Sequence, residues 1–297
     1  MIQARRIGHM TLETPDIPRQ VDYFTQVLGL VLVAQDKDRA FLGSKVGHLA
    51  VQLDRADQPQ CPKLSFEVAP DTDLATVARD LTAEGIASEL RSDDIPGLSR
   101  TLVFDDPKGT RIELFADWQP VAKTQIQTAG VSPIKLGHVA FEVEDLDKTV
   151  AFYQNILGFR ISDWIDDWFA FLRCNPDHHT VNFVRGTKNR LHHSAYELKD
   201  WAQVHGTCDF LGSNGIPIIW GPLRHGPGHN IALYFRDSDD HIIETFTELD
   251  MMKDEALGYY EPRPWHRDNP QRPKVWKGRG SGTIWGPPPT PDFQRSR

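Results

Sequence analysis

Polar and apolar residues alternate along Lys135–Val143 (KLGHVAFEV): Leu136, His138, Ala140 and Glu142 share one face, while Val139, Phe141 and Val143 share the other. That is a strand with one wholly apolar side. Asp145 follows as a candidate N-cap for a helix from Asp147 to Leu157, with Val150, Tyr153, Ile156 and Leu157 at helical spacing and Gly158 closing it. The apolar strand face is expected to pack on that helix. Further strands are predicted at 168–173, 179–184, 193–198, 231–236 and 241–247, with a second helix at 200–214.

The same pattern occurs earlier in the chain, so the architecture rests on an internal repeat. IGHMTLETPDIPRQVDYFTQVLGL from Ile7 aligns with LGHVAFEVEDLDKTVAFYQNILGF from Leu136 at a constant offset, which carries His9 onto His138, Glu13 onto Glu142, Asp16 onto Asp145 and Gly29 onto Gly158. LSFEV from Leu64 matches SAYEL from Ser194, and IELF from Ile112 matches IETF from Ile243. The offset drifts by only two residues over the whole copy. Residues 1–125 and 133–252 are therefore taken as two domains, joined by the polar linker KTQIQTAGVSP. Residues 253–297 form a Pro-, Gly- and Trp-rich extension without periodicity, whose tryptophans favour docking on the second domain over disorder.

Composition narrows the function. The 297 residues are 39% hydrophobic and 25% charged, with 41 acidic against 33 basic side chains and a formal charge of −8. Such a chain is globular, and its charge disfavours nucleic acid and anionic membranes as partners. With no apolar run long enough for a membrane span and no signal-peptide core at the N-terminus, the expected location is cytoplasmic. Cys61, Cys174 and Cys208 are too scattered for a disulfide framework or a CxxC metal site.

Two histidines and one carboxylate converging from separate strands bind iron(II) and leave adjacent coordination positions open. His138, His193 and Glu244 lie on three different predicted strands, each at a point where the copies align. The first copy has His9, Lys63 and Glu113 there, and a lysine is a cation rather than a ligand, so only the second copy is expected to hold metal. Glu142 and Glu197 are excluded as ligands because Glu13 and Glu67 repeat them in the copy without metal.

GHVAFEV, CNPDHHTVNF, RLHHSAYEL and GPLRHGPGHNIALYFRDSDDHIIETF together resemble the type I extradiol ring-cleaving dioxygenases of the vicinal oxygen chelate superfamily over residues 5–250. The last stretch is the most specific, with a His, a Tyr nine residues on and a Glu ten residues beyond that. The resemblance implies an α+β fold of two tandem vicinal oxygen chelate domains built from paired βαβββ modules. It implies His138, His193 and Glu244 as ligands of Fe(II), and His179, His225 and Tyr234 as acid, base and hydrogen-bonding groups. A catecholic substrate, O2 and a homo-oligomer are the implied partners. The turn before the glutamate departs from the family pattern, reading Asp237-Ser238-Asp239-Asp240 where the first copy has DDPKG, and loss of Pro and Gly is expected to alter it. Trp164, Trp168, Phe169 and Phe171 are candidate pocket aromatics, and Arg263 and Arg267 candidate partners for an acidic catechol. The alternatives are a 2-oxoacid dioxygenase, a glyoxalase, whose ligands come from both copies, or a metal-free small-molecule binder.

Overall fold

A computed structural model describes residues 2–92, 95–121 and 130–295 of the chain. Most of the expected linker, residues 122–129, lies outside the described residues. The first half runs β1 (Arg6–Thr14), α1 (Ile17–Asp22), β2 (Val31–Gln35), β3 (Arg39–Gly43), β4 (Leu49–Arg55), β5 (Gln60–Glu67), α2 (Leu74–Ala83), β6 (Ser88–Arg91), β7 (Thr101–Asp105) and β8 (Arg111–Phe115). The second runs β9 (Lys135–Val143), α3 (Leu146–Asn155), β10 (Arg160–Ile165), β11 (Phe169–Arg173), β12 (Val181–Arg185), β13 (Arg190–Glu197), α4 (Trp201–Ser213), β14 (Trp220–His225), β15 (Ile231–Arg236) and β16 (Ile242–Thr247). Each half is two βαβββ modules. Within every module the first strand pairs parallel with the last, and the two first strands pair antiparallel at the centre of the sheet.

Local sequence explains the repeated unit. Asp145 accepts from Lys148 N–H and caps α3, as Asp16 accepts from Arg19 N–H at α1. Gly158 then takes a left-handed φ of 75° behind α3. Gly137 precedes His138 because a Cβ there would come within 2.4 Å of the Phe246 ring, and Gly8 stands in the same relation to Phe115.

The expected strands at 168–173, 179–184, 193–198, 231–236 and 241–247 are present with small shifts of their ends. Two strands of the second domain were not expected, β10 and β14, nor were the two in the extension. β10 breaks alternation by burying Ser162 and Asp163, and β14 carries Gly221 and Pro222 and an irregular register. The extension adds β17 (Lys274–Trp276) parallel to β10 and β18 (Thr283–Trp285) antiparallel to β14, and ends in the short helix α5 (Pro291–Gln294). Both outer edges of the second sheet are thereby covered, giving the order β17-β10-β11-β12-β9-β13-β16-β15-β14-β18.

The turn that lacks Pro and Gly keeps its form. Asp106 Oδ1 accepts from Lys108 N and Thr110 N, and Asp237 Oδ1 accepts from Asp239 N and His241 N. Asp240 adopts φ 77° where Gly109 has 87°. The expected change of geometry is therefore not found: an aspartate tolerates the left-handed region better than most residues, and the side chain of Asp237 holds the turn.

Candidate functional site

Strand order assembles the site. β9, β13, β16, β15 and β14 are consecutive neighbours, and they carry His138, His193, Glu244, Tyr234 and His225 in that sequence. Tyr234 is registered directly opposite Glu244, and Ala195 is registered with both His138 and Glu244. A bulge between Leu191 and His193 displaces the register of β13 at the His192-His193 pair. His179 enters from the loop before β12.

His138, His193 and Glu244 are all buried, with one ligand atom of each within 4.8 Å of the others. Glu244 Oε2 lies 3.3 Å from His138 Nε2 and 3.1 Å from His193 Nε2. The structure thus brings together the three residues expected as ligands. Burial alone would raise the Glu244 carboxyl, but the two imidazoles hold it well below the usual carboxylate range. Burial lowers His138 despite the nearby carboxylate, keeping the imidazole neutral, as a metal ligand must be. Among the described residues His193 Nε2, which faces Glu244, is buried without a hydrogen-bond partner, an arrangement that suits a cation between them.

The three other expected residues surround this centre. The His179 ring lies 4.3 Å from that of His138 and 5.4 Å from that of Phe171. His225 Nδ1 donates to the Gly282 carbonyl at 3.0 Å, so the neutral ring keeps Nε2 bare, and Nε2 accepts the Tyr234 hydroxyl at 2.7 Å. Burial pushes the Tyr234 phenol well above its ordinary range, and Glu244 adds to the effect. Burial holds both His179 and His225 below the ordinary imidazole range.

All six open on one cavity of about 1540 Å3, which Trp168, Phe169 and Phe171 also line. Trp164 is not among the lining residues and packs against the core instead. Arg263 and Arg267 do not line the cavity either; Arg263 lies over the Trp265 ring. The arginines that the extension presents to the cavity are Arg279, stacked over Trp168 at 4.8 Å, and Arg295.

Sequence reasoning missed several supporting residues. Asn230 Nδ2 donates to Glu244 Oε1 at 2.9 Å, and His192 Nδ1 lies 2.7 Å from His193 Nδ1. Phe293 of α5 packs on Trp220 and Tyr234. The doubled histidines were the one available signal for His192. Glu142 and Glu197 are ion-paired with Arg190 and Lys135, apart from the candidate ligands His138, His193 and Glu244.

The first copy shows what Lys63 does. Its Nζ lies 3.7 Å from Glu113 Oε1, while His9 Nε2 lies 3.1 Å from Glu113 Oε2. Lys63 thus occupies the place that the candidate ligand His193 has in the second copy. A second buried set, His229, Asp250 and His266, has the residue types of a metal centre. There the Arg263 N–H donates to His266 Nδ1, which leaves the proton on Nε2, directed at Asp250 at 2.9 Å. With His229 Nδ1 at 2.8 Å and Gln271 Nε2 at 3.3 Å from the same carboxylate, this is a hydrogen-bonded knot that ties the extension down.

The family model described as Glyoxalase/Bleomycin resistance protein/Dioxygenase superfamily matches residues 6–114 and 135–245. Metapyrocatechase of Pseudomonas sp. (strain CF600) is 26% identical over 81% of this chain and 85% of its own length. The manganese-dependent 2,3-dihydroxybiphenyl 1,2-dioxygenase of Geobacillus genomosp. 3 is 24% identical over 93% of this chain and 94% of its own. Among solved structures, the Mn(II)-bound glyoxalase from Novosphingobium aromaticivorans superposes with a TM-score of 0.85 at 25% identity, covering 99% of this chain and 94% of that one. The duplicated βαβββ pairs and the family match over both copies have one conclusion: the chain belongs to the Glyoxalase/Bleomycin resistance protein/Dioxygenase superfamily.

Proposed function

We propose that the protein is an iron(II)-dependent extradiol dioxygenase, cleaving a catechol or related vicinal diol beside its hydroxyls with O2 to give a ring-opened semialdehyde or keto acid. The observation that carries this is the convergence of His138, His193 and Glu244 with His179, His225 and Tyr234 in a single aromatic-walled cavity. His138, His193 and Glu244 would hold the metal, and the donor set fits a divalent first-row ion with open positions. When bound, the metal supplies charge to acidify the diol and a redox path between diol and dioxygen.

The remaining steps belong to the chain. His225 Nε2, bare in the ground state, takes a proton from the incoming diol, and Gly282 keeps the ring in that tautomer. The Tyr234 hydroxyl turns from His225 to a substrate oxygen and, staying protonated, donates to it. His179 holds or returns a proton on the oxygen side. Phe171 and Trp168 exclude water around the ring. The relatives named above support a catecholic diol as the substrate class, and the manganese-dependent one makes the metal a point to be measured.

The test is anaerobic loading with iron(II) or manganese(II), metal analysis, and oxygen uptake over a panel of catechols. Near one metal per chain, one O2 consumed per diol and greater turnover with iron are expected. His193→Ala and Glu244→Ala should lose the metal and His9→Ala should keep it. No oxygen uptake with a loaded protein, or equal metal loss in all three variants, would refute the assignment. Light scattering on the same sample tests the expected homo-oligomer.

A further inference from the structure

Asp163 on β10 and His178 beside His179 are wholly buried, and the roles proposed above use neither. A carboxylate this deep is strongly unfavourable unless it is fully paired. Asp163 is paired three times. Its Oδ1 accepts the backbone N–H of Lys274 at 2.9 Å, and its Oδ2 accepts the Trp276 indole N–H at 2.6 Å and faces His178 Nε2 at 3.1 Å. Lys274 and Trp276 belong to β17, the strand that the extension lays beside β10.

This arrangement fixes protons as well as rings. A carboxylate has none to give, so His178 carries its proton on Nε2, and a neutral ring then has a bare Nδ1. That nitrogen lies 2.9 Å from His179 Nδ1. Two bare nitrogens at such a distance repel, so the proton between them sits on His179 Nδ1. His179 Nε2 is left unprotonated in the cavity that also holds His138, His193 and Glu244.

We propose that His178 is a positioning residue: held by Asp163 and strand β17, it fixes His179 in the Nδ1–H tautomer and so keeps Nε2 available as an acceptor. The kinetic consequence rests on the proposed dioxygenase reading. The tautomer does not. The logic is that of an outer hydrogen bond setting which ring nitrogen is exposed, at a residue that touches no substrate.

Imidazole 15N NMR on the full chain loaded with zinc, which is diamagnetic, reads the tautomer directly. A neutral His179 with its proton on Nδ1 supports the inference; an Nε2–H tautomer or an imidazolium overturns it. This measurement on the unsubstituted protein stands even where a variant fails to fold. Kinetics supplies the second arm. His178→Leu removes the acceptor, whereas His178→Asn offers Oδ1 close to the position of Nδ1. With metal content retained, His178→Leu is expected to lose roughly 10- to 100-fold in kcat while KM stays within about twofold, and His178→Asn to recover most of the loss. Wild-type turnover in both variants, or equal losses with His179 still in the Nδ1–H form, would overturn the positioning role. A protein that cleaves no catechol yet shows the Nδ1–H tautomer would remove the proposed function and leave this inference standing.

Discussion

Lys63 closes one of two related sites without emptying it. The buried Glu113 keeps a compensating charge, and although burial alone would raise its carboxyl, His9 and Lys63 bring it below the ordinary value. Because the folded-state value is depressed, the stability it contributes is present above the unfolded value of about 4.3 and disappears as pH falls through the lower folded value. Lys63→Met removes the cation and leaves the carboxylate unpaired on that side, with an expected cost of about 3–5 kcal/mol at neutral pH. Without the Lys63 charge the carboxyl titrates higher than in the unsubstituted protein, so the deficit should shrink between pH 7.5 and pH 5 in urea unfolding. A deficit independent of pH, or none, would contradict the charge compensation. The six candidate residues were legible in the sequence because each sits at a repeat position or in a dense motif. Asn230 and Asp163 were not. Asn230 hides in a glycine-rich loop, and Asp163 interrupts a strand pattern that depends on apolar alternation, so burial of polar groups erased its signal.

Helices and the central strands follow from capping and alternation, and the sequence foretold them to within a few residues. β10 and β14 escaped because each trades hydrophobic regularity for contacts made by partners far away in the chain, the extension strands β17 and β18. The turn at Asp237–Asp240 failed for a different reason. Its motif residues had changed but the backbone conformation had not. Asp240 is therefore expected to refuse β-branched residues: Asp240→Val should lower stability by about 1–3 kcal/mol in denaturant titration, and Asp240→Gly should not. Equal stability of the two variants would show that the left-handed backbone at this position carries no strain. The extension is the element least readable from its own residues. Its prolines and glycines prevent any periodic pattern, and its strands exist only because two sheet edges await them.

The two sheets are locked by reciprocal contacts between equivalent parts of the copies. In the first half, the Asp106 turn meets α3, where the Tyr153 hydroxyl donates to Asp106 Oδ2 at 3.1 Å and Lys108 lies 4.3 Å from the Phe141 ring. In the second, the Asp237 turn meets α1, with Gln20 Nε2 donating to Asp237 Oδ2 at 3.2 Å and Tyr23 to the Arg236 carbonyl at 2.5 Å. One contiguous core runs through both halves. Calorimetry is expected to show a single unfolding transition, and Asp106→Ala combined with Asp237→Ala should split it. Two resolved transitions in the unsubstituted protein would contradict the interlock. The extension, too, does more than one thing at once. Gly282 and Thr283 border the cavity, Gly282 holds His225, and β17 holds Asp163. A guest bulky enough to lift this segment would disturb both histidines, so steric fit and proton inventory are a single variable here. If the proposed diol cleavage holds, oversized diols should accordingly bind and linger uncleaved, acting as inhibitors in an oxygen-uptake assay with a smaller catechol.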